Sequence, residues 1–246
     1  MKKLAWNEAE ETLDTLFGGR LRILQKKGGY RFSIDALLLA HFADPHPKDR
    51  IIDLGTGCGV MPLIIAFRQK KGKITGVEIQ PSLADLARRN ATLNRLSTRI
   101  KILEKDLRDL EGKTRGGIFD LVLSNPPYRR IGAGRVNPCP EKALARHEFK
   151  ATLQDVLRAA QYLLGKKGRL AMIYPASRAA ELIQEMRQFH LEPKRLQFVH
   201  SYPKEEARLM MVEGFKEGRA QVRVLPPLIL YDSAGNYTPE AQELFR

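Results

Sequence analysis

Residues 50–59 read RIIDLGTGCG, a short apolar run that passes directly into three alternating glycines. A run rich in isoleucine and leucine suits a strand buried on both faces. Gly55, Gly57 and Gly59 let the backbone turn tightly and approach a ligand at the amino end of the next helix, expected over Val60–Lys70. Towards the carboxyl side the pattern alternates. KITGVEI (73–79) reads as a strand, PSLADLARRNATLN (81–94) as a helix with proline in its first turn, and RIKILEKD (99–106) as a strand. A strand ending at Ser124, a helix near 151–164, the strand GRLAMIY (168–174) and a helix near 177–190 follow, then strands near 195–201 and 207–216.

Strands alternating with helices of this length predict parallel crossovers and a sheet covered on both sides. The last two strands are joined by a short turn and should pair antiparallel. The fold class is therefore α/β: a doubly wound, mostly parallel, seven-stranded Rossmann-like sheet with an antiparallel C-terminal hairpin. Towards the amino side, LRILQKKGGYRFS predicts a hairpin turning at Gly28-Gly29. Ser33 then caps a helix through IDALLLAHFA, which Pro45 ends. With no internal repeat or linker, residues 1–246 read as one domain, of which 1–50 form an N-terminal extension.

The totals narrow the function classes. At 246 residues with 43% hydrophobic content, the chain can bury a sizeable core. No apolar run approaches the ~18 residues that span a bilayer, and the N-terminus lacks a signal-peptide core, so a cytoplasmic protein without a membrane partner is expected. Two cysteines and five histidines show no metal-ligand spacing, and no metal is expected. The net charge of +14 sets up a field that attracts polyanions.

In such sheets ligands sit beyond the carboxyl ends of the strands, where the strand order reverses. Candidate cofactor residues collect there. They are Asp53, Gly55, Thr56, Gly57 and Gly59 in the first turn, Glu78 and Ile79 at the end of the second strand, and Asp106 and Leu107 at the end of the third. An acidic group about 20 residues beyond the glycines can accept ribose hydroxyls. Asp106 beside Leu107 suits an adenine, with its amine on the acid and its face on the leucine. Each acid alone is more often a solvated strand end; their common register with the glycines is what carries the reading. The spacing is GxGxG with Val60 following, whereas dinucleotide loops read GxGxxG, and this favours S-adenosylmethionine over NAD. Cys58 reads as a small packing residue.

The strand ending at Ser124 runs into Asn125-Pro126-Pro127-Tyr128. A strand stop explains the prolines but neither the tyrosine nor the location. An exocyclic amine is a poor nucleophile because its lone pair is delocalised. Acceptors placed out of the ring plane favour a pyramidal nitrogen and restore that lone pair. The Asn125 side-chain carbonyl and the Pro126 backbone carbonyl can serve, preset by the fixed φ of the prolines. Two such bonds supply roughly 3–6 kcal/mol in the transition state. Tyr128 offers a stacking face worth ~1–3 kcal/mol.

Together, DLGTGCG, Glu78, Asp106 and SNPPY resemble the class I S-adenosylmethionine-dependent methyltransferases that modify amino nitrogens. The resemblance implies an enzyme of the Rossmann-like methyltransferase fold, with Asn125, Pro126, Pro127 and Tyr128 at the catalytic position and Asn125 also bordering the cofactor. It leaves adenine N6, cytosine N4 and the glutamine amide of release factors open as acceptors. The 52 residues ahead of Asp53 are few for the helical domain of release-factor enzymes, and no segment reads as a DNA target-recognition domain. GGRLRILQKKGGYRFSIDALLLA, DLGTGCGVMPLIIA, SNPPY, ARHE (145–148) and PPLILYD resemble, more narrowly, the bacterial tRNA adenine-N6 methyltransferases that act on position 37 of valine tRNA. That likeness implies a tRNA partner engaged at its anticodon region. Protein glutamine methylation and a non-catalytic RNA-binding module are the alternatives.

The loop 129–147 carries Arg129, Arg130, Arg135, Lys142 and Arg146 among glycines and prolines. Such a basic segment beside a stacking site suits phosphate contacts, though a solvated loop has the same composition. Lys204, Arg208, Lys216, Arg219 and Arg223 read equally as an extension of a basic surface or a solvated face. Asp53 is expected to orient the cofactor's amino-acid end, and Ser33 and Asp35 to close over the cofactor or simply to cap their helix.

Overall fold

The computed structural model describes residues 6–28, 31–126 and 151–245. In chain order the first elements are β1 (Glu11–Leu16), β2 (Leu21–Lys26), α1 (Ile34–Phe42), β3 (Arg50–Leu54), α2 (Val60–Arg68) and β4 (Lys73–Glu78). Then come α3 (Pro81–Leu93), β5 (Ile100–Glu104), β6 (Phe119–Ser124), α4 (Leu153–Leu163), β7 (Leu164–Pro175) and α5 (Ala179–Gln188). Strands β8 (Leu191–His200), β9 (Ala207–Lys216), β10 (Arg223–Val224) and β11 (Leu228–Ile229) and the short helix α6 (Pro239–Gln242) follow. The main sheet runs β10-β8-β9-β7-β6-β3-β4-β5, with β11 also on β8. Strands β3 to β7 pair in parallel, and β9 is antiparallel to both β7 and β8.

The alternating apolar run of β3 shows why the sheet sits in the middle. Ile51 packs on the side of α1, α2 and α3, while Ile52 and Leu54 pack on the side of α4 and α5. Side chains alternate across a strand, so a run buried on both faces must be apolar throughout. Each such isoleucine or leucine contributes about 1.5–3 kcal/mol. The helices start where the sequence places start signals. Pro81 opens α3, and Thr152 and Asp155 form a reciprocal capping box at α4. At the other end of α2, Arg99 donates to the carbonyls of Ala66 and Gln69 at 2.8 and 2.7 Å, satisfying groups that the helix leaves unpaired.

Two expectations need correction. The N-terminal hairpin pairs β1 with β2 and turns at Phe17–Arg20, not at Gly28-Gly29. Phe17, Gly18 and Gly19 all take positive φ, which the glycine pair at 18–19 accommodates. Phe17 is held there by burial and by stacking on Phe67, with centroids 4.7 Å apart. Among the described residues the sheet also has nine strands rather than seven. The expected seven are present, and β10 and β11 add to the outer edge of β8. Pro226 and Pro227 cannot donate to a ladder, so this tail is cut into two pieces too short to carry a strand pattern.

The hairpin is fastened to α3 by charge. Glu11 receives two bonds from Arg89, at 2.6 and 2.8 Å. That guanidinium holds the Glu11 carboxyl below the usual range, against the opposing effect of burial. A depressed folded pKa contributes stability above the unfolded value and loses it as pH falls. Glu11→Gln should therefore lower Tm at pH 7 by the equivalent of about 1–3 kcal/mol. Thermal melts should show that gap closing once the pH drops below the ordinary glutamate value of 4.5.

Candidate active site

Strand order reverses between β3 and β6, and the carboxyl ends of these neighbours form the candidate site. Leu54 pairs with Ser124, whose hydroxyl donates to the Leu54 carbonyl at 3.0 Å. That bond fixes the level at which each strand opens: Gly55 leaves β3 directly beside Asn125, which leaves β6. The N–H groups of Gly55 and Thr56 both donate to Val77 O at 2.9 Å, so the loop is bound to β4 as well.

Asp53 is fully buried, with 0% exposure. Neither of its carboxylate oxygens, nor the hydroxyl of neighbouring Thr56, has a hydrogen-bond partner among the described residues. Burial pushes this carboxyl up to about 7; the Thr56 dipole opposes the shift and the Glu78 charge adds to it. A buried acid kept without a partner costs free energy that a cationic ligand group can recover. Gly76 makes room for the Thr56 side chain, because a Cβ there would sit 2.8 Å from its methyl.

Glu78 is also buried, and burial raises its pKa. One oxygen accepts from Gly57 N–H and the other from Gln80 N–H, each at 2.9 Å. A carboxylate oxygen has two lone pairs, so both retain an acceptor site for a hydroxyl. The three loop glycines have positive φ, and a Cβ at Gly59 would lie 3.0 Å from Ala87 Cβ. Gly59 therefore also allows the close packing of α2 on α3, beyond the ligand approach expected of it.

An open cleft lies beside the loop, its lining including Gly55, Val77, Ile79, Asp106, Leu107 and Arg108. Asp106 receives Arg108 N–H at 2.9 Å and pairs with the Arg108 guanidinium through both oxygens. The guanidinium holds that carboxyl below the usual range. An amine arriving at Asp106 must compete with this exposed pair. If Asp106 takes the adenine amine expected from the sequence, Arg108→Ala should strengthen S-adenosylhomocysteine binding by up to about fivefold, since such pairs are worth at most ~1 kcal/mol; calorimetry measures it directly.

Ser33 caps α1, its hydroxyl accepting from Asp35 N–H at 3.4 Å, and neither residue lines the cleft. Asn125 is half-buried and Pro126 buried. Pro127, Tyr128, Arg129, Arg130, Arg135, Lys142 and Arg146 lie outside the described residues. The cations of the C-terminal region divide. Lys204 and Arg208 flank the β8–β9 turn at the same edge as Asn125. Lys216 ends β9 at the opposite edge, where its ammonium donates to the carbonyls of Gln161 and Leu164 at 2.7 and 2.9 Å. That cation terminates α4 rather than facing a partner.

One contributor had no sequence signal. Asn90 of α3 is fully buried; its Oδ1 accepts from Leu24 N–H at 2.7 Å. Its Nδ2 donates to Leu24 O at 3.0 Å and to Cys58 O at 2.9 Å. Cys58 is buried, and its thiol is pushed up to about 12 by that burial.

Residues 33–192 match the methyltransferase small domain model. The chain belongs to this methyltransferase family. It is an enzyme of that class, with the doubly wound sheet described above. The tRNA1(Val) (adenine(37)-N6)-methyltransferase of Porphyromonas gingivalis is 32% identical over 229 residues, covering 90% of this chain and 89% of the relative. A protein of the same name from Aeromonas salmonicida is 34% identical over 150 residues, or 61% of each chain. The crystal structure of a predicted O-methyltransferase from Agrobacterium tumefaciens superposes with a TM-score of 0.69 at 28% identity, covering 85% of this chain and 94% of that one. Among the described residues no cluster of three or more histidine, cysteine or acidic side chains could hold a metal ion, and no helix is long and apolar enough to cross a membrane.

Proposed function

We propose that this methyltransferase transfers a methyl group from S-adenosylmethionine to the exocyclic N6 of an adenine in tRNA, at position 37 beside the anticodon of valine tRNA. The observation that carries the reading is the juxtaposition at the switch point: Asn125-Pro126 emerges beside the glycine loop, at a level set by the Ser124–Leu54 bond. The names and coverage of the P. gingivalis and A. salmonicida relatives support the choice of tRNA over a protein amide.

The residues present fit the cofactor. The unpartnered Asp53 carboxylate accepts its ammonium, Glu78 its ribose hydroxyls, and Asp106 its adenine amine, while Ile79 and Leu107 cover the ring. Bound there, S-adenosylmethionine supplies an electrophilic methyl group. The side-chain carbonyl of Asn125 and the backbone carbonyl of Pro126 accept the two N–H bonds of the substrate amine and localise its lone pair. Tyr128 stacks on the adenine, and Arg129, Arg130, Arg135, Lys142 and Arg146 contact phosphates. A nucleotide in a loop is already unpaired, so drawing it into the pocket costs less than extracting one from a duplex. No side-chain nucleophile takes part, and the surplus proton passes to water. A tRNA substrate places the reaction in the cytoplasm.

Nucleoside mass spectrometry of unmodified tRNA after incubation with enzyme and S-adenosylmethionine should reveal N6-methyladenosine. In a parallel incubation with methyl-labelled S-adenosylmethionine, label appearing only in release factor, or in neither release factor nor tRNA, would overturn this assignment.

A further inference from the structure

We infer that Asn90 is a positioning residue for the cofactor loop, and that through it the N-terminal hairpin holds that loop in its binding geometry. The inference rests on the reading that residues 53–59 cradle the cofactor. Asn90 is 0% exposed, and its carboxamide joins three segments at one point. Both peptide groups of Leu24 on β2 bind it, and its remaining donor reaches the carbonyl of Cys58. Cys58 lies between Gly57, whose N–H is bound by Glu78, and Gly59, which packs on Ala87. The loop is thus tied on one side to β4 and on the other to α3. Without the Asn90 donor, the Cys58 carbonyl is left buried and unpaired, which favours peptide rotation in the loop.

The fold contains its own control one turn further along α3. Asn94 binds the hairpin in the same manner, accepting from Arg22 N–H at 2.9 Å and donating to Arg22 O at 2.6 Å. Its other bond goes to Asn90 O at 2.8 Å within α3 and none reaches the glycine loop. Both asparagines fasten hairpin to helix; only Asn90 extends the connection to Cys58.

The test compares Asn90→Ala with Asn94→Ala. Both should lower Tm. Calorimetric titration with S-adenosylhomocysteine should show affinity falling about tenfold or more in Asn90→Ala, the worth of one buried hydrogen bond, and unchanged in Asn94→Ala. The KM for S-adenosylmethionine should rise in Asn90→Ala and stay near wild type in Asn94→Ala. Equal affinity in the two variants would overturn the inference. A second measurement needs no variant. Coupling is reciprocal, so cofactor binding to the wild-type chain should slow hydrogen exchange at the Leu24 amide, which donates to Asn90. No change at that amide, with binding observed, would equally overturn it. Absence of binding by the wild-type chain would overturn the cofactor assignment itself and this inference with it.

Discussion

Asn125→Ala should lower kcat by about 10²–10³-fold while S-adenosylhomocysteine still binds, which single-turnover kinetics and calorimetry would separate. The reasoning is differential. The side-chain carbonyl of Asn125 is proposed to meet an N–H that becomes acidic only as the nitrogen develops positive charge. Its loss therefore falls on the transition state more than on the ground state. The proposed second acceptor, the Pro126 backbone carbonyl, is removed by no substitution of Asn125, so residual transfer above the uncatalysed rate is expected. Turnover equal to wild type would eliminate amine activation by this residue.

Asp53→Asn should change stability and binding in opposite directions. The carboxyl is raised to about 7 by burial, so the folded chain holds a proton that the unfolded chain releases near 3.8. The folded state is then favoured at low pH and loses stability as pH rises through about 7. At 1.36 kcal/mol per unit, the penalty above that point is about 4 kcal/mol. The asparagine variant carries no such charge. Its Tm should exceed that of wild type at pH 8, with the difference disappearing towards pH 4. Its affinity for the cofactor should fall by about tenfold or more, because a charge-assisted bond to the ammonium is gone. Ionisation of Asp53 on pairing with that ammonium should also release a proton near neutral pH. Titrations in buffers of differing ionisation enthalpy would detect it; no proton release at pH 6.5–7, together with an unaltered pH–stability curve in the variant, would refute the assignment.

What could be read from the chain divides along a physical line. The alternation from Arg50 to Lys216 was legible because each strand and helix carries its own local pattern, and doubly wound sheets permit few arrangements of such a pattern. The placement of Asp53, Glu78, Asp106 and Asn125 at one edge of the sheet was legible because that arrangement dictates which strand ends meet. Features that depend on contacts between distant segments were not. The turn was expected at the glycine pair 28–29; the one used lies at 17–20, where Phe17 is buried against Phe67. Gly59 carried a ligand-loop signature, yet its neighbour is Ala87. Lys216 looked like one more surface cation until the end of α4 was placed beside it. Asn90 had no signature at all, since its partners lie 66 and 32 positions away.

The short pieces Arg223–Val224 and Leu228–Ile229 have a bearing on how the protein can be handled. They cover the far side of Leu191–His200, a ten-residue strand whose outward amides and carbonyls would otherwise offer a template to any extended peptide. A chain cut ahead of residue 223 would retain every group proposed for catalysis and still become adhesive, recruiting other copies rung by rung. Shortened versions made for crystallisation should therefore keep this seam.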